Sequence, residues 1–254
     1  MTETEFDPVA ARRTITLLWR KHLVEAVKPG PKARISVDDL VAKAILRADR
    51  EGLPAVTIRG VAADVGVRPM TVYSHVPDRE TLVALMVDAS LAQMPAPASG
   101  GLGVEAALTA LVDDNHHWYV AHPWLADAHT ERPPMGPGVI GKYERELAVV
   151  ARLGLSDLDT DAALSFLLNF ARAAAADTVR SRADAVDGGR WWEAVGPVLS
   201  EVLDPVDYPL SGRIGTAAGS AMSGAYNARH AYEFGRERTV TAIIALSESG
   251  RAGR

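Results

Sequence analysis

The chain of 254 residues has no cysteine. That absence excludes disulfides, thiolate metal sites and a cysteine nucleophile, and nothing points to an oxidising compartment. Aromatic residues are few, at 6%. No apolar run approaches the ~20 residues that a membrane-spanning helix needs. The opening segment MTETEFDPVAARR lacks the basic start and apolar stretch of a signal peptide, so a cytoplasmic protein is expected. Also missing are a Gly-rich phosphate loop, a Ser/His/Asp set and paired carboxylates at diagnostic spacing. An enzyme is therefore not expected, and no cofactor is called for. An overall basic charge is lacking too, since the net charge is −5.

What is present is an ordinary globular balance, with 48% hydrophobic and 23% charged residues. The length suits two domains or one large one. The charge is unevenly spread: 13 Lys/Arg face 7 Asp/Glu between Pro8 and Arg79, against 14 and 22 from Glu80 onward. A basic first third on an acidic remainder fits a local phosphate-contacting surface and argues against non-specific wrapping of DNA.

Helical periodicity recurs along the chain. Residues 8 to 27 suit a short helix with Ile15, Leu18, Trp19 and Leu23 on one side, and 28 to 34 (KPGPKAR) read as a flexible basic arm. Ser36 suits an N-cap, and Leu40, Val41, Ala44, Ile45 and Ala48 form a helical stripe that Gly52 ends. Thr57 and Asp78 cap two further helices, and 94 to 101 (MPAPASGG) is the clearest break. Beyond it come helices at about 104–121, 123–129, 139–153, 159–180 and 229–249, with a less regular Gly/Pro-rich region at 186–220. Phe234, Val240, Ile243, Ile244 and Leu246 mark the buried side of the last helix. With no hairpin signal and no repeat, the expected fold is all-α. The expected division is into residues 1–34, 35–80 and 81–254.

Residues 57 to 76, TIRGVAADVGVRPMTVYSHV, are the most informative stretch. They predict two short helices joined by a tight turn, held by Ile58, Val61, Val65, Val67 and Val72. Ala62 permits close approach, and Gly66 supplies the positive φ that the turn requires. This is a helix-turn-helix, whose second helix enters the DNA major groove. Arg59, Arg68, Thr71, Tyr73, Ser74, His75 and Arg79 lie outside the apolar set and suit DNA contact.

With these residues in view, the segment from Ser36 to about Leu91 resembles the TetR family of bacterial transcriptional regulators. The carrying elements are Gly52-Leu53 followed by the Thr57 cap, then RxVAxxVGV from Arg59, then TVYxHVPDRExL from Thr71. Two later stretches, WYVAHPWLADAHTERPPMGP and YEFGRERTVTAIIALSES, are similar to the C-terminal domain of the tetracycline-repressor-like branch. The resemblance implies an Ω-shaped homodimer, with 1–34 as N-terminal extension and basic arm, 35–80 as the three-helix helix-turn-helix DNA-binding head and 81–254 as the ligand-binding and dimerisation body. It places Arg59 at the start of the positioning helix. Pro69, Met70, Thr71, Tyr73, Ser74 and His75 fall on the helix that meets the groove, and Arg79 on a phosphate clamp. Pro69 and Met70 depart from the family's polar residue followed by proline, and Ser74 replaces a bulky aromatic, so the operator sequence is not transferable.

The expected roles follow. Arg59 and Arg79 contact phosphate, and Tyr73 sets its hydroxyl on phosphate unless its ring belongs to the small core. Met70 and Thr71 read bases, and Arg68 reaches either guanine or phosphate. Lys32 and Arg34, with Lys28, enter the minor groove or attract DNA non-specifically. Met86, Trp118, His122, Phe166, Asn169 and Phe170 are the candidate ligand-binding residues, with Asn169 read as a buried amide in need of partners. His116, His117, His122 and His129 do not have the spacing of a metal site, so no metal is expected. Trp191 and Trp192 read as packing or lid residues.

The expected function is a ligand-responsive repressor that binds a palindromic double-stranded DNA operator as a homodimer and is released by a small lipophilic effector. The alternative is an activator or global regulator without such an effector.

Overall fold

The computed structural model describes residues 7–23, 35–97, 100–128, 133–185, 187–222, 224 and 226–252, and among these helices are the only regular elements. Lys28, Lys32, Arg34 and His129 lie outside them. No helix among the described residues is long and apolar enough to cross a membrane.

Helix α1 (Pro8–Leu18) opens on Asp7, whose carboxylate accepts the main-chain N–H groups of Val9 and Ala10. Helix α2 (Val37–Glu51) begins with a reciprocal Ser36/Asp39 capping box, and Gly52 leaves it at φ 81°. Helices α3 (Ile58–Val65) and α4 (Pro69–His75) form the expected pair. Thr57 caps α3 through Gly60 N, and Gly66 takes the left-handed conformation at φ 74°. Pro69 starts α4, where a missing N–H costs nothing. Asp78 caps α5 (Arg79–Gln93), the connecting helix.

The body follows as α6 (Val104–Ala121), α7 (Trp124–Asp127), α8 (Pro137–Val150), α9 (Asp157–Ala183), α10 (Asp187–Val202), α11 (Pro209–Met222) and α12 (Ala228–Ala252). The region expected to be irregular between 186 and 220 is instead mostly helical. Two of its glycines mislead because they pack against an indole rather than form turns. A Cβ on Gly219 would stand 2.8 Å from the Trp192 ring, and one on Gly196 3.6 Å from it. Phe234 and Leu246 also depart from expectation, since each keeps about half its surface exposed (56% and 51%) on the outer side of α12.

Two apolar cores result. The first gathers Leu40, Val41 and Ala44 of α2, Val61 and Ala62 of α3, Val72 of α4, and Leu82, Leu85 and Met86 of α5, with Leu18, Trp124 and Leu125 joining from α1 and α7. The second joins Leu108, Leu111 and Val112 of α6, Val149 and Val150 of α8, Leu164, Leu167 and Ala171 of α9, and Val240 and Ile243 of α12. Each fully buried valine or leucine contributes about 1.5–3 kcal/mol of transfer free energy. Because α5 and α7 sit in the first core, the helix-turn-helix head is packed onto the body and does not hang from a linker.

Candidate nucleic-acid interface

Local sequence orients α4. Val72 is wholly buried and fixes the helix against the head core, which turns the neighbouring positions outward. Met70 is 74% exposed and Tyr73 44% exposed, and Thr71 and Ser74 also face solvent. The Ser74 hydroxyl donates to Thr71 O at 2.7 Å, so its oxygen is left to accept from a partner. Arg68 and Arg59 are exposed, while Pro69 and His75 are half-buried. Met70, Thr71, Tyr73 and Ser74 thus share one outward face of α4, and Arg59 is exposed at the start of α3.

Arg79 is placed differently from a free phosphate clamp. Its Nε donates to Val56 O at 2.7 Å and its Nη2 to Leu53 O at 2.9 Å, tying α5 to the turn between α2 and α3. Sequence reasoning also missed Arg47, which grips Asp64 with two parallel bonds (2.7 and 2.8 Å) and braces α2 against α3. The Arg47 guanidinium holds the Asp64 carboxyl below the usual range.

Behind this ridge the head meets the body at Asp49. One carboxylate oxygen of this α2 residue faces His122 Nδ1 at 2.8 Å and accepts Trp124 Nε1–H at 2.7 Å. Trp118, on the last turns of α6, donates to Ser90 Oγ of α5 at 3.3 Å and lies 4.7 Å from the His122 ring. On the other side, Asp88 of α5 accepts Val139 N–H at 2.9 Å. Helices α5 and α8 touch so closely there that a Cβ on Gly138 would lie 2.0 Å from Asp88 O.

The six expected ligand residues do not share one cavity. Met86 is sealed in the first core, while Trp118 and His122 belong to the junction with Asp49. Phe166 is 52% exposed, and Asn169 is exposed with its Oδ1 accepting from Arg172 at 3.0 Å, so the buried amide expected at 169 is corrected. Helix α9 buries Ala163, Leu164 and Leu167 instead, and that stripe turns 166 and 169 outward. Phe170 stacks on Tyr232, with ring centroids 6.0 Å apart.

The buried polar groups of the body are others. Lys142 Nζ meets Glu146 Oε2 at 2.5 Å, and Asn115 Nδ2 donates to Glu146 Oε1 at 2.6 Å, all three residues being buried. Burial pushes the Lys142 ammonium below its ordinary range despite that partner. Asn115 Oδ1 is buried without a hydrogen-bond partner. On the opposite side of α6, Asp113 takes both Tyr232 Oη–H and the Arg236 guanidinium, at the edge of a cavity of about 530 Å³.

His116 lines that cavity and stacks on Tyr232 at 3.9 Å. Its tautomer follows from the neighbouring hydroxyl. Thr178 Oγ1 gives its only proton to Ala174 O, so His116 Nε2 must be the donor in the 3.0 Å bond to Thr178. Nδ1 is then a buried acceptor with no partner. Burial, reinforced by nearby His117, lowers the ring's pKa below its usual value. No group of three or more metal-binding side chains occurs among the described residues.

A three-helix head presenting one short helix, packed through a connecting helix onto a helical body with buried polar groups, defines a DNA-binding transcriptional regulator. Comparison with known proteins specifies which kind. Residues 95–241 match the family described as tetracyclin repressor-like, C-terminal domain. The chain is similar to the HTH-type transcriptional repressor DrrR1 of Streptomyces coeruleorubidus, with 31% identity over 78% of this chain and 74% of that protein. Apo ActR from Streptomyces coelicolor has the same fold, with a TM-score of 0.71 at 22% identity over 87% of this chain and all (100%) of the other. ActR in complex with actinorhodin superposes at a TM-score of 0.70, again at 22% identity, over 85% of this chain and 99% of that one. The chain belongs to the TetR family of transcriptional regulators.

Proposed function

We propose that this regulator is a repressor that grips a palindromic operator as a homodimer and lets go when a small lipophilic effector enters the body. The observation that carries the reading is the outward ridge Met70, Thr71, Tyr73 and Ser74, held by the buried Val72 on a head that is itself tied to the body at Asp49. In this reading Met70 and Thr71 meet base edges, Arg68 meets guanine or phosphate, and Arg59, Tyr73 and His75 fix register on phosphates. Arg79 acts chiefly as a brace and contributes at most its remaining donor.

A dimer fits the body's outer surface. Phe166 of α9 and Phe234 and Leu246 of α12 are half exposed or more in the single chain, which suits a four-helix seam about a two-fold axis. Two recognition helices so joined meet successive major grooves ~34–36 Å apart. The effector reading is supported by the buried groups left wanting partners, Asn115 Oδ1 and His116 Nδ1. It is supported too by the relative ActR, which has been crystallised with actinorhodin. A ligand that shifts α6 at these residues also shifts its last turn, where Trp118 and His122 reach α5 and α2.

The test is fluorescence anisotropy on DNA from the protein's own promoter region. Wild-type protein is expected to bind a twofold-symmetric site as a dimer. Tyr73→Ala with Arg59→Ala should weaken binding at least tenfold while circular dichroism stays unchanged. Undiminished binding by that double variant, or binding as a monomer, overturns the reading.

A further inference from the structure

A cavity of about 590 Å³ lies where α1, α2, α5 and α8 meet, and α6 contributes no wall to it. Its floor is apolar, formed by Leu18, Val41, Ile45, Ala89 and Pro137. Its polar groups include three cations, Arg20 and Lys21 after α1 and Arg145 from α8, beside His22, Gln93 and the carboxylates of Asp38 and Asp88. Asp38 is already taken by both Arg20 and Lys21, the latter at 2.8 Å. Asp88 accepts the Val139 N–H at 2.9 Å, so one of its oxygens is engaged by the main chain of α8, and burial pushes its carboxyl up.

Arg145 is the exception in this arrangement. Its Nε is buried with no hydrogen-bond partner, and Nη2 reaches only Met94 O, at 3.4 Å. No carboxylate among the described residues lies within ion-pair distance of it. Arg145 is half-buried, and a carboxylate matches the planar fork of donors that it presents to the cavity. The volume falls in the range of small-molecule sites, and the apolar floor suits a hydrocarbon body.

We propose that this junction cavity is an effector site separate from the body's buried polar groups, taking a small amphiphilic monocarboxylate whose carboxylate pairs with Arg145 and whose apolar part lies along Leu18, Val41 and Ile45. An occupant there touches the N-terminal extension, the head, the connecting helix and the body together. It is therefore placed to bias the angle between head and body.

The test is isothermal titration of the full chain, without DNA, using 4-phenylbutyrate and its neutral analogue 4-phenylbutanol. The acid is expected to bind at least tenfold more tightly than the alcohol. Arg145→Met should remove that preference. Ala42→Trp, which fills the cavity and leaves the guanidinium in place, should weaken the acid at least tenfold and keeps the idea falsifiable if the first variant misfolds. No binding of the acid, parity of acid and alcohol in the wild type, or wild-type affinity in a folded Arg145→Met variant overturns the proposal. Because DNA is absent, such failure leaves the operator reading untouched.

Discussion

At the scale of single residues, neighbours in sequence do opposite work. Val72 has no exposed surface, and Tyr73 beside it is 44% exposed. Val72→Ala is expected to destabilise the head by about 1–3 kcal/mol, measured by urea denaturation. Tyr73→Ala should leave stability nearly unchanged and reduce operator affinity. His116 gives a pH dependence of definite sign. Its folded pKa lies below the ordinary 6.5, so the unfolded chain takes up a proton first as pH falls. Stability should thus hold above about pH 6.5 and decline below it until the folded ring titrates too. His116→Gln should flatten that part of a melting-temperature profile. The outward residues of α4 could be read from the helix-turn-helix spacing, since period and turn fix which side is apolar. Asp49 and Asn115 could not be, because each draws its meaning from partners 31 to 75 positions away.

Lys142 and Glu146 show how an element can conceal a site. Four residues apart on α8, they have the look of a solvated surface pair, yet both are buried beneath α6. Lys142→Met strands the Glu146 carboxylate and is expected to cost about 3–5 kcal/mol by thermal or urea unfolding. Adding Glu146→Leu should recover much of that loss, and failure to recover would show that Asn115 and the ion pair are separately required. The crossing of α5 and α8 is set by one missing side chain. Gly138→Ala would force a Cβ to 2.0 Å from a main-chain oxygen, so the helices must part, and a lowered melting temperature with faster amide exchange in α5 is the expected result. The caps at Ser36, Thr57 and Asp78 were legible because a short side chain at a helix start has one job. Helices α10 and α11 were not, because glycine serves close packing against Trp192 as readily as it serves a turn.

Over the whole molecule, the all-α fold and its two-part plan were readable from periodicity and charge, while the joint between the parts was not. Part of that joint is Asp49, where a single oxygen faces donors from both His122 and the wholly enclosed Trp124. Asp49→Ala leaves the Trp124 indole N–H without its acceptor. A loss of about 1–3 kcal/mol is expected, with amide exchange accelerating in α7 and the end of α2 ahead of the rest of the chain. The sharing of that oxygen has a further consequence. Two anchors moored to the same post are cast off together, so His122 and Trp124 release the end of α2 in one step. A population of such molecules should answer a graded stimulus as a mixture of docked and undocked forms, changing in proportion rather than in posture.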